Sequence, residues 1–302
     1  MAKPPVVDDA YRQAIEAVAK DVTGYIKESP SRVPMCLRVA LHDAMTYDEG
    51  TRTGGANGSI RVDRELSQTA NAGLEPVIGA LTAIKNKHSA VTHADVFHLA
   101  GVVAAQLAGA ADVSFVPGRR DSRVCLPEGR LVSADDLASA DKVKKKLLRL
   151  GLPLRLGVAL LGVHPFGVSL GQSAAAESSV GEASPYAINN MYFAALLEEA
   201  VADLKAHRPI LEDSQIRAIC EEFANDNDAF LAAYCRAHTL VSLAGQDLQP
   251  PAGLASGGAG GSEGGDAGWG TTYVAGAVVA VAVAAGAWYY FSSWRRRARR
   301  RM

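Results

Sequence analysis

The stretch that most limits what this chain can fold into is Pro34-Met35-Cys36-Leu37-Arg38-Val39-Ala40-Leu41-His42-Asp43-Ala44. As a helix it projects Arg38 and His42, four residues apart, from one face. Around them Val33, Met35, Leu37, Val39, Ala40, Leu41 and Ala44 put apolar side chains on nearly every other side. A helix that is apolar all round belongs in an interior, and an interior Arg or His needs a partner. Two readings of the pair stand open. One is an arginine bound to a carboxylate elsewhere, with a core histidine beside it. The other is a site, because an always-cationic guanidinium next to a titratable imidazole can polarise a small ligand and move a proton.

The chain has 302 residues, enough for one large domain or two small ones. Its net charge of -1 hides an asymmetry. Six arginines lie in 295–301, leaving 25 of the 31 basic residues against 32 acidic ones in the body, a balance of about -7. An acidic body argues against nucleic acid as a partner. Cys36, Cys125, Cys220 and Cys235 form no CxxC pair and no zinc-like spacing, so they read as reduced thiols in a cytosol-facing compartment. The opening residues have neither a secretory apolar core nor an arginine-rich transit character.

Along the chain, Tyr11, Ile15, Val18 and Val22 make one stripe of a helix from Asp8 to about Lys27. Pro30 and Pro34 bracket a turn, and Pro34 suits the first turn of the helix that follows. Residues 50–63 form a glycine-rich loop. The period predicts a helix from about Leu66 to Lys85 that contains Asn71, and another from about Thr92 to Ala108. Thr92 caps the second, Asp95 is placed to complete a variant of the capping box, and Gly109 suits its end. Residues 115–122 read as an extended turn with two cations, and 134–148 as a charged helix. An apolar run, Leu154 to Leu161, leads to His164. The remainder to about Leu248 reads as helical with a break at Pro209, so the body is mainly α.

The body is assigned to residues 1–249. A linker rich in Gly, Ala and Ser follows over 250–271. Within 272–293, Tyr273 to Phe291 is 19 residues without a charge, with Trp288, Tyr289 and Tyr290 at its far end and Trp294 and the arginines of 294–302 beyond. That length, aromatic belt and basic flank predict a single membrane span. Standing at the end of the chain, it implies a tail anchor that leaves the body facing the cytosol.

Ordered motifs give a further guide. Leu37-Arg38-Val39-Ala40-Leu41-His42-Asp43-Ala44 is followed by Gly54-Gly55-Ala56-Asn57-Gly58-Ser59-Ile60-Arg61, and by Glu65-Leu66 leading to Ala70-Asn71-Ala72-Gly73-Leu74. Then come Leu99-Ala100-Gly101-Val102-Val103, Phe115-Val116-Pro117-Gly118-Arg119-Arg120-Asp121-Ser122, and Pro127-Glu128-Gly129-Arg130-Leu131. Asn190-Met191-Tyr192-Phe193 and Asp228-Ala229-Phe230 close the series. In order and spacing the chain, up to about residue 248, resembles the ascorbate peroxidases, class I haem peroxidases of plants and algae. The resemblance implies two helical lobes around a haem b. It makes Arg38 and His42 the distal pair that acts on hydrogen peroxide, Asn71 the residue that holds the imidazole as a base with Glu65 behind it, and His164 the proximal iron ligand. Some members also end in a glycine-rich linker, a span and a basic tail on peroxisomal membranes. The expected setting is therefore an oxidative-stress role at an organelle membrane, most simply the peroxisome.

The departures fall on chemistry. Leu41 stands where the resemblance expects a tryptophan, and Val180 where it expects a second. The proximal aspartate that would accept the ligand's other N–H falls at His207. The two ascorbate-binding cations fall at Pro30 and Ser173, with Arg32 close to the first. Pro165 replaces a threonine of a potassium site, so no potassium is expected. Ascorbate is thus a doubtful donor, and the partners implied are hydrogen peroxide and some other small electron donor. The second reading is an impaired relative, a haem-binding sensor or membrane scaffold.

Overall fold

The computed structural model describes residues 2–163, 186–198 and 202–248. Helices dominate them, and the only extended pairing there is an isolated bridge between Asp48 and Thr53. The expected mainly α body is what is found. His164, Pro165, Ser173, Val180 and the expected linker, span and basic tail lie outside the described residues. Among the described residues no helix is long and apolar enough to cross a membrane.

The first lobe is built around α5 (His93–Leu107), whose residues are buried on every face except at His93 and Gln106. Helices α1 (Asp9–Glu28), α2 (Arg32–Ala44) and α4 (Glu75–Lys87) pack on it. The α1 stripe of Tyr11, Ile15, Val18, Val22 and Ile26 is buried as the period predicts, and Asp8 caps it through the Tyr11 amide at 2.8 Å. Each such apolar side chain contributes roughly 1.5–3 kcal/mol by leaving water. Gly101 sets how closely α2 and α5 approach, since a Cβ there would lie 2.4 Å from the Ala40 Cβ. Any side chain at 101 would push away the helix that carries Arg38 and His42.

The second lobe holds α6 (Ala140–Leu148), α7 (Leu154–Leu161), α8 (Met191–Glu198), α9 (Ser214–Asn225) and α10 (Asn227–Val241). Helix α10 packs on α7 and also reaches α2, which joins the lobes.

Three local expectations are corrected. The segment 66–85 is not one helix: a short turn of helix, α3 (Asp63–Leu66), a 3-10 turn over Thr69–Asn71 and then α4 replace it. Gly73 at φ +80° and Pro76 at the start of α4 break the continuity that the apolar period suggested. The charged stretch 134–148 is likewise a 3-10 turn over Ala134–Asp136 followed by α6, separated because Ser139 caps the later helix. Pro209 makes no break but sits inside a 3-10 stretch, Ala202–Glu212.

The α5 cap is half as expected. Thr92 Oγ1 accepts from the Asp95 amide at 3.1 Å, but the Asp95 carboxylate does not return the bond. It accepts instead from the Tyr11 hydroxyl, the Gly118 and Arg119 amides and the Arg119 guanidinium, at 2.7 to 3.2 Å. Arg119, one of the two cations of the 115–122 turn, is thereby fully buried. The same turn supplies Asp121, which accepts from the His93 and Ala94 amides at the start of α5.

Candidate active site

Helix α2 puts Arg38 and His42 into one cavity of about 330 Å³. Its far wall is the irregular segment 126–134, where Leu126, Pro127, Leu131, Val132 and Ala134 supply an apolar lining. Glu65 and Lys146 also reach it. Arg38 is half-buried and donates to the Ala70 carbonyl, which aims the guanidinium along the cavity. His42 is 1% exposed.

The His42 ring is held by Asn71, whose Oδ1 lies 2.8 Å from Nδ1. Asn71 Nδ2 donates to the Glu65 carbonyl at 2.9 Å. A carbonyl only accepts, so the amide nitrogen must face Glu65 and the amide oxygen must face His42. Nδ1 therefore carries the ring proton, and the lone pair lies on Nε2. Burial, with the Arg38 charge adding to it and the Asn71 bond opposing, pulls the His42 pKa down to about 4. The imidazole is neutral at pH 7 and has its basic nitrogen fixed.

Glu65 is a different case. Its side chain is 1% exposed. Burial and the nearby Asp43 charge push its pKa up to about 7, with Ser59 and Leu126 offsetting part of the effect. Asp43, next to His42, is tied down. It accepts from the Gly58 and Ile60 amides and shares a 3.1 Å contact with His98 Nε2. Those bonds clamp the glycine-rich loop to the C-terminal end of α2.

The structure thus brings together Arg38, His42 and Asn71, three of the four residues singled out from the sequence. The Arg38 guanidinium bonds the Ala70 carbonyl and lines the cavity. The sequence motifs include Pro127–Leu131 and Asp43, but neither the cavity wall over 126–134 nor the clamp at Asp43 is readable from them, because no period or spacing shows what those residues contact. Two departures also have positions. Arg32 is engaged by the Tyr25 carbonyl and by Glu28 at 2.6 Å. His207 is buried, with Nδ1 3.4 Å from the Tyr192 hydroxyl.

With this geometry in hand, comparison with known proteins is specific. The sequence model of the family described as Peroxidase matches residues 18–226. A probable peroxisomal L-ascorbate peroxidase 3 of Oryza sativa subsp. japonica is 38% identical over 254 residues, covering 83% of this chain and 85% of the relative. L-ascorbate peroxidase 3 of Arabidopsis thaliana is 36% identical over the same share of this chain and 87% of its own length. A cytosolic L-ascorbate peroxidase 2 of Oryza sativa subsp. japonica is 34% identical over 80% of this chain and 96% of its own.

The raised Glu65 pKa fixes the sign of a stability effect. The folded state binds this proton more tightly than the unfolded chain does, so its contribution is complete below about pH 4.5 and is lost as pH rises through about 7. Glu65→Gln should therefore gain Tm relative to the parent as pH goes from 5 to 8, by the equivalent of ~2 kcal/mol at the upper end. Calorimetry of both proteins across that range checks this. A Tm difference that does not change with pH contradicts it.

Proposed function

This chain belongs to the peroxidase family, and from that premise we propose that it is a haem b-dependent peroxidase that reduces hydrogen peroxide with a small one-electron donor. The observation that carries the reading is the Asn71-fixed tautomer of His42 beside Arg38 in one cavity. An apolar group suits the cavity on this side, since Leu126, Pro127, Leu131, Val132 and Ala134 line it together with Arg38 and His42. His164 is the proposed proximal ligand. When bound, the haem supplies the iron at which the peroxide O–O bond is cleaved and the oxidising equivalents held.

The chain's own residues do the rest. His42 Nε2 takes a proton from the incoming peroxide and returns it to the departing oxygen. Asn71 keeps Nε2 the basic nitrogen throughout. The Arg38 guanidinium stabilises the negative charge that develops as the O–O bond stretches. Overall, peroxide takes up two electrons and two protons and leaves as two waters.

Donor use is where this chain parts from ascorbate. Pro30 and Ser173 supply no cation, and Arg32 is engaged by Glu28. A neutral aromatic donor suits the apolar cavity better, and no potassium is needed. Its setting is an oxidative-stress role at an organelle membrane. The span within 272–293 serves as a tail anchor with the body in the cytosol, and the names of the peroxisomal relatives favour the peroxisome. A second reading, an impaired peroxidase that serves as a haem-binding sensor or scaffold, draws on His207 in place of a proximal carboxylate.

The haem-loaded chain should show a Soret band that His164→Ala weakens, and His42→Ala should slow peroxide reduction by roughly 10²- to 10⁴-fold. Turnover with a neutral phenol should exceed turnover with ascorbate. A parent protein no faster than His42→Ala would favour the sensor reading instead. Separately, a reporter carrying residues 250–302 should pellet with membranes, and a reporter that stays in the supernatant refutes the anchor.

A further inference from the structure

The turn that carries Asn71 is too short to hold itself. Thr69–Asn71 is a three-residue 3-10 turn, closed by the Asn71 N–H on the Gln68 carbonyl at 2.8 Å and by the Ala72 N–H on the Thr69 carbonyl at 3.3 Å. Turns of this kind are poorly bonded and gain nothing from propagation. Gly73 at φ +80° follows, so α4 does not extend back to stiffen it. Yet this turn holds both functional side chains of α2. The Ala70 carbonyl accepts from Arg38, and the Asn71 amide oxygen meets His42 Nδ1.

Two hydrogen bonds tie the turn to the 126–134 wall. Gln68 Nε2 donates to the Leu126 carbonyl at 2.8 Å, and the Thr69 amide donates to Glu128 Oε1 at 2.8 Å. The Leu126 carbonyl only accepts, so the side-chain nitrogen of Gln68 must point to it. Gln68 stands at the cap position of the turn but makes no capping bond there, and its side chain reaches across to the wall instead. The two ties are unequal. Thr69 and Glu128 are exposed, and water can replace their bond, whereas Gln68 and Leu126 are half-buried. The wall is the firm end of this link. The Arg130 guanidinium donates to the Thr46 carbonyl and to the Thr53 hydroxyl, each at 2.8 Å, and the Leu131 carbonyl accepts from Lys146 at 2.8 Å. Residues 130 and 131 are thereby fixed to the loop after α2 and to α6. Gln68 also meets the turn from behind: the Glu65 carbonyl accepts from its backbone N–H at 3.1 Å and from Asn71 Nδ2 at 2.9 Å. A displaced Gln68 therefore disturbs the carbonyl that orients the Asn71 amide.

We propose that Gln68 is a positioning residue of the peroxide site: through the Leu126 carbonyl it braces the Thr69–Asn71 turn against the cavity wall and so keeps the ring proton of His42 on Nδ1. Its bearing on catalysis rests on the peroxidase function proposed above. Gln68 lines the cavity, but its side-chain nitrogen is engaged by Leu126, so it acts through Asn71 and not on the peroxide.

The test uses the full-length chain in detergent, labelled with nitrogen-15 at histidine. Gln68→Met keeps the length of the side chain and removes its donor. Without haem at pH 7, the His42 ring of this variant is expected to populate both tautomers, where the parent shows Nδ1 alone protonated. Gln68→Lys, which restores a donor for the Leu126 carbonyl, should return the parent pattern. Loaded with haem, Gln68→Met should lose roughly 10- to 100-fold in kcat/KM for peroxide, and Gln68→Lys should stay near the parent. Should Gln68→Met not fold, Gln68→Glu removes the donor with the shape kept and carries the same expectations. A His42 ring in the donor-less variant that matches the parent overturns the inference. So does a tautomer mixture that Gln68→Lys does not reverse, or a peroxide rate that stays at the parent's. Absence of a Soret band in the parent overturns the peroxidase reading, and the ring measurement, made without haem, still decides whether Gln68 positions His42.

Discussion

The side-chain amide of Asn71 sits between two groups that leave it one orientation. The Glu65 carbonyl fixes its nitrogen and His42 Nδ1 takes its oxygen, and the chemistry of the cavity depends on that choice. Reversed, the amide would put the ring proton on Nε2, the nitrogen proposed as the base. A single hydrogen bond of this kind adds only ~1 kcal/mol of stability. Its importance lies in selecting a tautomer, which burial then holds neutral. Arg38 supplies the fixed positive charge beside it, and its bond to the Ala70 carbonyl comes from the segment that carries Asn71.

The surrounding frame is made of buried carboxylates that collect donors from distant parts of the chain. Asp43 joins the end of α2 to the glycine-rich loop and to α5. Asp95 joins α5 to α1 and to the 115–122 turn. Each is a closed set in which losing one partner would strand a buried charge, at ~3–5 kcal/mol. The glycine-rich loop is glycine-rich for the same reason: Gly54, Gly55 and Gly58 have positive φ, and the carbonyl of Ala244 occupies the space a Gly55 side chain would need. The result is a rigid support for two side chains on one helix face.

Much of this was legible in the sequence. Arg38 and His42 on an otherwise apolar helix, the α1 stripe and the Thr92 cap are local patterns with a period or a spacing, and they hold. Asn71 was placed beside His42 by ordered motifs, although the helix expected around it is a 3-10 turn. Apolar spacing alone does not show that Gly73 and Pro76 outweigh it. Asp95 was read as a capping residue because its true partner, Arg119, is 24 positions away and announces nothing locally. The motif Pro127–Leu131 marks part of the 126–134 segment, but irregular backbone carries no period that would show it as a cavity wall.

The peroxide-handling part of the fold therefore rests on one proton's position, and that position is measurable. Nitrogen-15 resonance of the His42 ring in the folded chain should show Nδ1 protonated and Nε2 bare from pH 6 to 8. An Asn71→Ala variant should lose that preference. A ring protonated on Nε2, or an imidazolium at pH 7, would contradict the account at its centre.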